Sequence, residues 1–154
     1  MKIELINNQD EVSLDLGLIN EISTYVLNKF DSCPDNACNI ILSSAVEIRE
    51  LNRGYRNIDR ATDVLSFSYL SDREAFCAED GCFTIGEIYI CPEVARENVK
   101  DQGPEWSLGL EMILLVIHGI LHIYDYDHEE EEDRIEMENL QDCIIFDIRN
   151  AFGL

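Results

Sequence analysis

The stretch SLGLEMILLVIHGILHIY, residues 107–124, decides the fold. It reads as the most apolar helix of the chain, and a helix apolar around so much of its circumference belongs at the centre of a fold. Gly103-Pro104 breaks the chain just before it. Its most apolar run, residues 112–117, is six residues long, far short of the roughly 20 that a membrane helix needs. Working outward, residues 64–69 (VLSFSY) and 83–91 (FTIGEIYIC) are rich in β-formers and are expected to be the central strands, separated by a polar acidic loop. Pro92 suits the first turn of a helix running to about residue 100. Nearer the amino terminus, residues 2–7 alternate like a strand, and Ile19, Ile22, Val26 and Phe30 recur at helical spacing. A turn over residues 31–36 contains Pro34 and precedes a short buried strand at 39–43 and a second helix from 44 to about 58. The last helix, from about 130 to 152, places Met137, Leu140, Ile144 and Ile148 on one face. This order predicts an α+β fold, one small mixed β-sheet packed by several helices, as a single domain over residues 1–154. Neither a repeat nor a linker interrupts it.

An apolar fraction of 46% is ordinary for a globular chain, so the net charge of −21 marks an acidic surface and not disorder. Such a surface is repelled by phosphates at long range, which argues against generic binding to DNA, RNA or anionic membranes and requires a local basic patch for any nucleic-acid role. The opening Met1-Lys2-Ile3-Glu4 lacks the layout of a secretory signal, so a cytoplasmic location is expected. The six cysteines, Cys33, Cys38, Cys77, Cys82, Cys91 and Cys143, then read as reduced thiols. The Cys33/Cys38 and Cys77/Cys82 spacings lie at the loose end of structural zinc geometry, an alternative to plain loop cysteines.

All three histidines of the chain, His118, His122 and His128, fall within eleven residues. His118 and His122 are four apart, so on a helix they share one face a turn from each other. A turn through Tyr124 and Asp125 can fold His128 back over that pair. Three imidazoles on one ion leave a fourth position open, which separates catalytic from structural zinc, and the expectation is a hydrolase metal site at the end of the central apolar helix. A lone histidine on an apolar helix would instead be an ordinary hydrogen-bonded core residue; three at ligand spacing are not. Metzincin proteases share the four-then-six spacing but place glutamate directly after the first histidine. This chain has Gly119 there, so a peptidase would need an acid from elsewhere, such as Glu111.

Arg49, Arg53, Arg56 and Arg60 are spaced 4, 3 and 4 and form one basic stripe, beside an apolar set of Ile48, Leu51, Tyr55 and Ile58 expected to face the core. Such a stripe can simply be a solvated face paired with Glu47 and Glu50. Opposite a metal site, however, the planar donor fork of arginine matches phosphate oxygens and suits phosphodiester cleavage. Residues 125–142 carry ten acids and Arg134 alone, so that segment cannot hold a phosphate chain. It reads as a solvated helix face, with docking of a basic ribosomal protein as a weaker alternative.

The run His118-Gly119-Ile120-Leu121-His122-Ile123-Tyr124-Asp125-Tyr126-Asp127-His128 resembles the signature of the YbeY endoribonuclease family. Leu51-Asn52-Arg53-Gly54-Tyr55-Arg56 with Asp59 and Thr62-Asp63-Val64-Leu65-Ser66-Phe67 resembles a second signature, and Gly86-Glu87-Ile88 with Pro92-Glu93-Val94-Ala95 a third. The resemblance implies a metal-dependent α+β nuclease that cleaves single-stranded RNA, matures the 3′ end of 16S ribosomal RNA and takes part in ribosome quality control. It implies one zinc ion on His118, His122 and His128, with other first-row divalent metals as alternatives, Arg56 as the functional arginine, and the small ribosomal subunit as partner. Asp125 departs from the pattern, standing where the family has glycine, and the turn there is expected to need a positive φ. Two other readings remain open: a metal-stabilised ribosome-assembly factor that cuts nothing, and a metallopeptidase.

Overall fold

A computed structural model describes residues 2–31 and 33–154; of the turn expected over residues 31–36, Ser32 lies outside the described residues. The elements are β1 (Lys2–Asn7), α1 (Leu16–Phe30), β2 (Asn36–Leu42), α2 (Ala45–Arg56), β3 (Val64–Ser68), α3 (Arg73–Phe76), β4 (Phe83–Ile90), α4 (Pro92–Val99), α5 (Leu108–Ile123) and α6 (Glu131–Phe152). The strands form one mixed sheet in the order β1-β2-β4-β3. β1 and β4 flank β2 in parallel, and β3 runs antiparallel to β4. The α+β class expected from the sequence is the class observed.

Helix starts follow local chemistry. Asp15, Ser44 and Ser107 each accept a hydrogen bond from a backbone N–H three residues on, satisfying a donor that the first turn leaves unpaired. α5 is buried along most of its length, including Met112, Ile117, Ile120, Leu121 and Ile123. It packs with α1 and α6 on one sheet face against Ile40, Leu42, Ile85, Ile88 and Ile90. A smaller apolar cluster, Ile48, Leu65 and Cys91 with Leu51, Phe67 and Tyr89 packed around it, brings α2 together with β3 and β4. Two glycines bring α5 close to the sheet: a Cβ on Gly119 would stand 2.7 Å from Ile88, and one on Gly86 2.7 Å from Ile123.

Four expectations need correction. β3 is an edge strand, and the central pair is β2 and β4. β2 is buried at nearly every position, the mark of a strand covered on both faces, whereas Ser66 and Ser68 of β3 face a cleft; β3 is the richer in β-formers, which does not report burial on two faces. The acidic loop contains the short helix α3, capped by Asp72. α2 ends at Arg56 because Asn57 turns left-handed at φ 59°, so Arg60 lies in the loop beyond the helix. Tyr55, expected to face the core, is 71% exposed, and Asn52 is buried instead, its amide donating to the Arg60 carbonyl.

Candidate metal centre

The cleft opens where the carboxyl end of α5 meets β3. Ser68 Oγ donates to the Ile123 carbonyl at 2.8 Å and fastens the strand to the last turn of the helix. α5 then stops in a Schellman motif. The Asp125 N–H bonds the His122 carbonyl, the Tyr126 N–H reaches back to the Leu121 carbonyl, and Asp125 takes the left-handed position at φ 68°. That is the positive φ expected from the sequence, at a place where glycine would carry no Cβ penalty. The reversal returns the chain so that His128 lies over the helical pair.

His118 and His122 present their Nε2 atoms to each other at 2.9 Å. The His128 ring centroid lies 5.7 Å from that of His118 and 5.3 Å from that of His122. One nitrogen from each ring falls within 4.8 Å of the others. Small side-chain rotations bring such a group to the roughly 2 Å per nitrogen of a zinc-like ion. An all-imidazole set suits zinc and several other first-row divalent metals, so the residues present fit the expected ion. His118 Nδ1 lies 2.8 Å from Gln141 Oε1 on α6, and because an amide oxygen only accepts, Nδ1 carries the proton and Nε2 keeps its lone pair for the cluster. Desolvation depresses the pKa of His118, and depresses that of His122 to about 4 with help from the two neighbouring imidazoles. Both are therefore neutral, the form that binds a cation.

The same cleft, about 500 Å³, is lined by the histidines together with Arg56, Thr62, Asp63, Ser66 and Ser68 and by Asp127 and Glu129. The basic stripe divides in its roles. Arg49 pairs with Asp59 at 2.9 Å and Arg53 with Glu50 at 2.7 Å, the solvated pairing expected of a plain helix face. Arg56 makes no ion pair among the described residues and faces the cleft.

Glu111 does not reach this site. It is buried, accepting from Trp106 Nε1 at 2.6 Å and lying 3.5 Å from the Asn98 amide nitrogen, which donates to Asp63 at 3.0 Å. Glu111 thus braces the interior and supplies no peptidase base, and a longer side chain at position 119 would strike Ile88. The cysteines are free thiols, and among the described residues the histidines are the one metal-competent group. Cys38 is sealed in the core, its thiol pushed up to about 12 by burial. Gln141 went unread in the sequence. The signal was a polar residue four after Met137 and three before Ile144, on the face that α6 turns inward.

Fold and cleft together define a class: an α+β fold whose buried helix delivers two imidazoles, and the turn beyond it a third, to an open cleft that an arginine also lines. A family model described as Endoribonuclease YbeY matches residues 4–149. The chain is 33% identical over 153 residues to Endoribonuclease YbeY of Caldicellulosiruptor saccharolyticus, covering 94% of this chain and 96% of that protein. It is 31% identical over 151 residues to that of Streptomyces coelicolor, covering 97% and 92%, and 41% identical over 110 residues to that of Staphylococcus aureus, covering 70% and 67%. The solution structure of a protein from Thermotoga maritima is similar, with a TM-score of 0.64 at 32% identity, covering 98% of this chain and 91% of that one. The chain belongs to the YbeY endoribonuclease family.

Proposed function

We propose that this protein is a metal-dependent endoribonuclease that cleaves single-stranded RNA, with His118, His122 and His128 holding one zinc or related divalent ion and Arg56 steadying the scissile phosphate. One observation carries the reading: three imidazoles with nitrogens within 4.8 Å of one another share a cleft with an arginine that has no ion-pair partner among the described residues. When bound, a divalent ion supplies Lewis acidity and lowers the pKa of coordinated water. The chain's own residues do the rest. His118 and His122 are presented from one rigid helical face, and His128 closes the set from the far side of the Schellman turn. The Arg56 guanidinium offers a planar fork to phosphate oxygens in a chain otherwise hostile to phosphate. Family membership supports RNA as substrate. Maturation of the 16S 3′ end, a role in ribosome quality control and association with the small subunit or one of its proteins follow from the same resemblance.

The test is cleavage of matched single-stranded and duplex RNA by purified protein, with and without chelator, beside His122→Ala. Loss of single-strand cleavage under chelation and in the variant is expected. Binding without cleavage would favour the non-catalytic assembly factor. Cleavage untouched by chelator would overturn the metal assignment.

A further inference from the structure

We propose that Gln141 is the positioning residue of the histidine cluster, its side-chain oxygen selecting the His118 tautomer that turns a lone pair toward the ion. The inference rests on the metal-binding reading of the three histidines. Gln141 stands on the inward face of α6 between the buried Met137 and Ile144, and its Oε1 lies 2.8 Å from His118 Nδ1. A free neutral imidazole carries its proton on either nitrogen. Were it on Nε2, the proton would point at His122 Nε2, 2.9 Å away, and that nitrogen would be blocked as a ligand. The amide oxygen removes the choice, since it accepts the Nδ1 proton and cannot donate one. A carboxamide in an apolar helix seam is costly unless hydrogen-bonded, so packing alone favours leucine or methionine there. The residue's presence is explained by its bond to His118. It also makes α6, acidic along its outer face and carrying no ligand of its own, a structural part of the centre.

An uncharged partner orients the ring without adding the negative charge that makes a metal-bound histidine more basic. Replacing outer partners of metal-bound histidines shifts metal affinity about 10- to 100-fold. Gln141→Met keeps the volume and removes the acceptor, and Gln141→Glu keeps the acceptor and adds charge. In metal-free protein, nitrogen-15 NMR of the histidine rings should show His118 protonated at Nδ1 in wild type and in Gln141→Glu, and a tautomer mixture in Gln141→Met. Zinc competition against a chromophoric chelator should give affinity about 10- to 100-fold weaker in Gln141→Met and equal or tighter in Gln141→Glu. The melting temperature of metal-free Gln141→Met should not fall, which a merely structural glutamine would not allow. An unchanged tautomer and unchanged affinity in Gln141→Met would overturn the proposal. Failure of wild type to bind zinc would overturn the metal reading instead, leaving the NMR comparison to decide the role of Gln141.

Discussion

His118 Nε2 and His122 Nε2 face each other at 2.9 Å, one helical turn apart. The two rings cannot both be protonated there without placing like charges in contact, and burial disfavours the charged form of each. The folded pKa of His122 is about 4, against 6.5 for an unperturbed histidine. As pH falls the unfolded chain therefore takes up its proton first. The contribution of His122 to stability is complete above 6.5 and is lost as pH drops through about 4. Chelator-treated wild type should lose stability to urea between about pH 7 and about pH 5, and His122→Ala should lose less over the same interval. Equal losses in both proteins would assign the acid sensitivity to other groups.

Asp125 holds φ 68° in the Schellman turn that returns His128 to the cluster. A non-glycine residue is strained there, and its carboxylate lies in an acidic pocket with Asp127, Asp133 and Glu136. Asp125→Gly should therefore raise stability by up to about 1 kcal/mol, through relief of strain and of like charge offset by the added freedom of the unfolded chain. Zinc affinity should rise or hold. A large loss of bound metal would mean that the carboxylate takes part in holding the ion.

The turn at Asp125 and the clustering of the histidines were legible because both are local, fixed by helical periodicity and by the single residue that must turn left-handed. So was α5, whose apolar surface leaves few other places in a fold. Strand order was less legible. Residues 64–68 are the richer in β-formers, yet 36–42 form the central strand, because burial of β2 on two faces depends on helices distant in sequence. Arg56 could be placed on the basic stripe, but its separation from Arg49 and Arg53 depends on Asp59 and Glu50 being within reach of those two residues and not of Arg56. Gln141 lies 23 residues from His118, and only tertiary packing of α6 on α5 makes them partners.

Gly86 and Gly119 test the close approach of α5 to the sheet. At Gly119 an added methyl meets the side chain of Ile88, Cγ2 first, and at Gly86 it meets backbone, the carbonyl oxygen of Phe67, as well as Ile123. Gly119→Ala should cost about 1–3 kcal/mol, the usual range for overpacking, and Gly86→Ala more, since backbone yields less than a side chain. Urea denaturation of the two variants measures the order. If Gly119→Ala proves the worse, the Ile88 side chain is held more rigidly than β3.

Arg56 separates a phosphate-binding role from a surface role, because the two give opposite results. It sits at the last position of α2, exposed, with no ion pair to lose among the described residues, so Arg56→Ala should leave melting temperature and metal content nearly unchanged. If its guanidinium steadies phosphate charge in the transition state, RNA cleavage should fall by roughly 2–4 kcal/mol in barrier, the scale of one lost preorganised donor. Arg49→Ala is the internal control. Its partner Asp59 is equally exposed, so the pair contributes at most about 1 kcal/mol of stability, and the side chain lines a different pocket, so cleavage should survive. Arg56→Lys refines the result, since lysine keeps the charge and loses the two-pronged geometry. Partial activity there would show that charge matters and the fork adds to it, whereas full activity would remove the bidentate clamp. Assays at low and moderate salt with metal content checked in each variant keep the arginine's effect apart from that of the histidines. Equal loss of cleavage in Arg49→Ala and Arg56→Ala would mean that the helix contributes general positive charge, and Arg56 would lose its place opposite the metal centre.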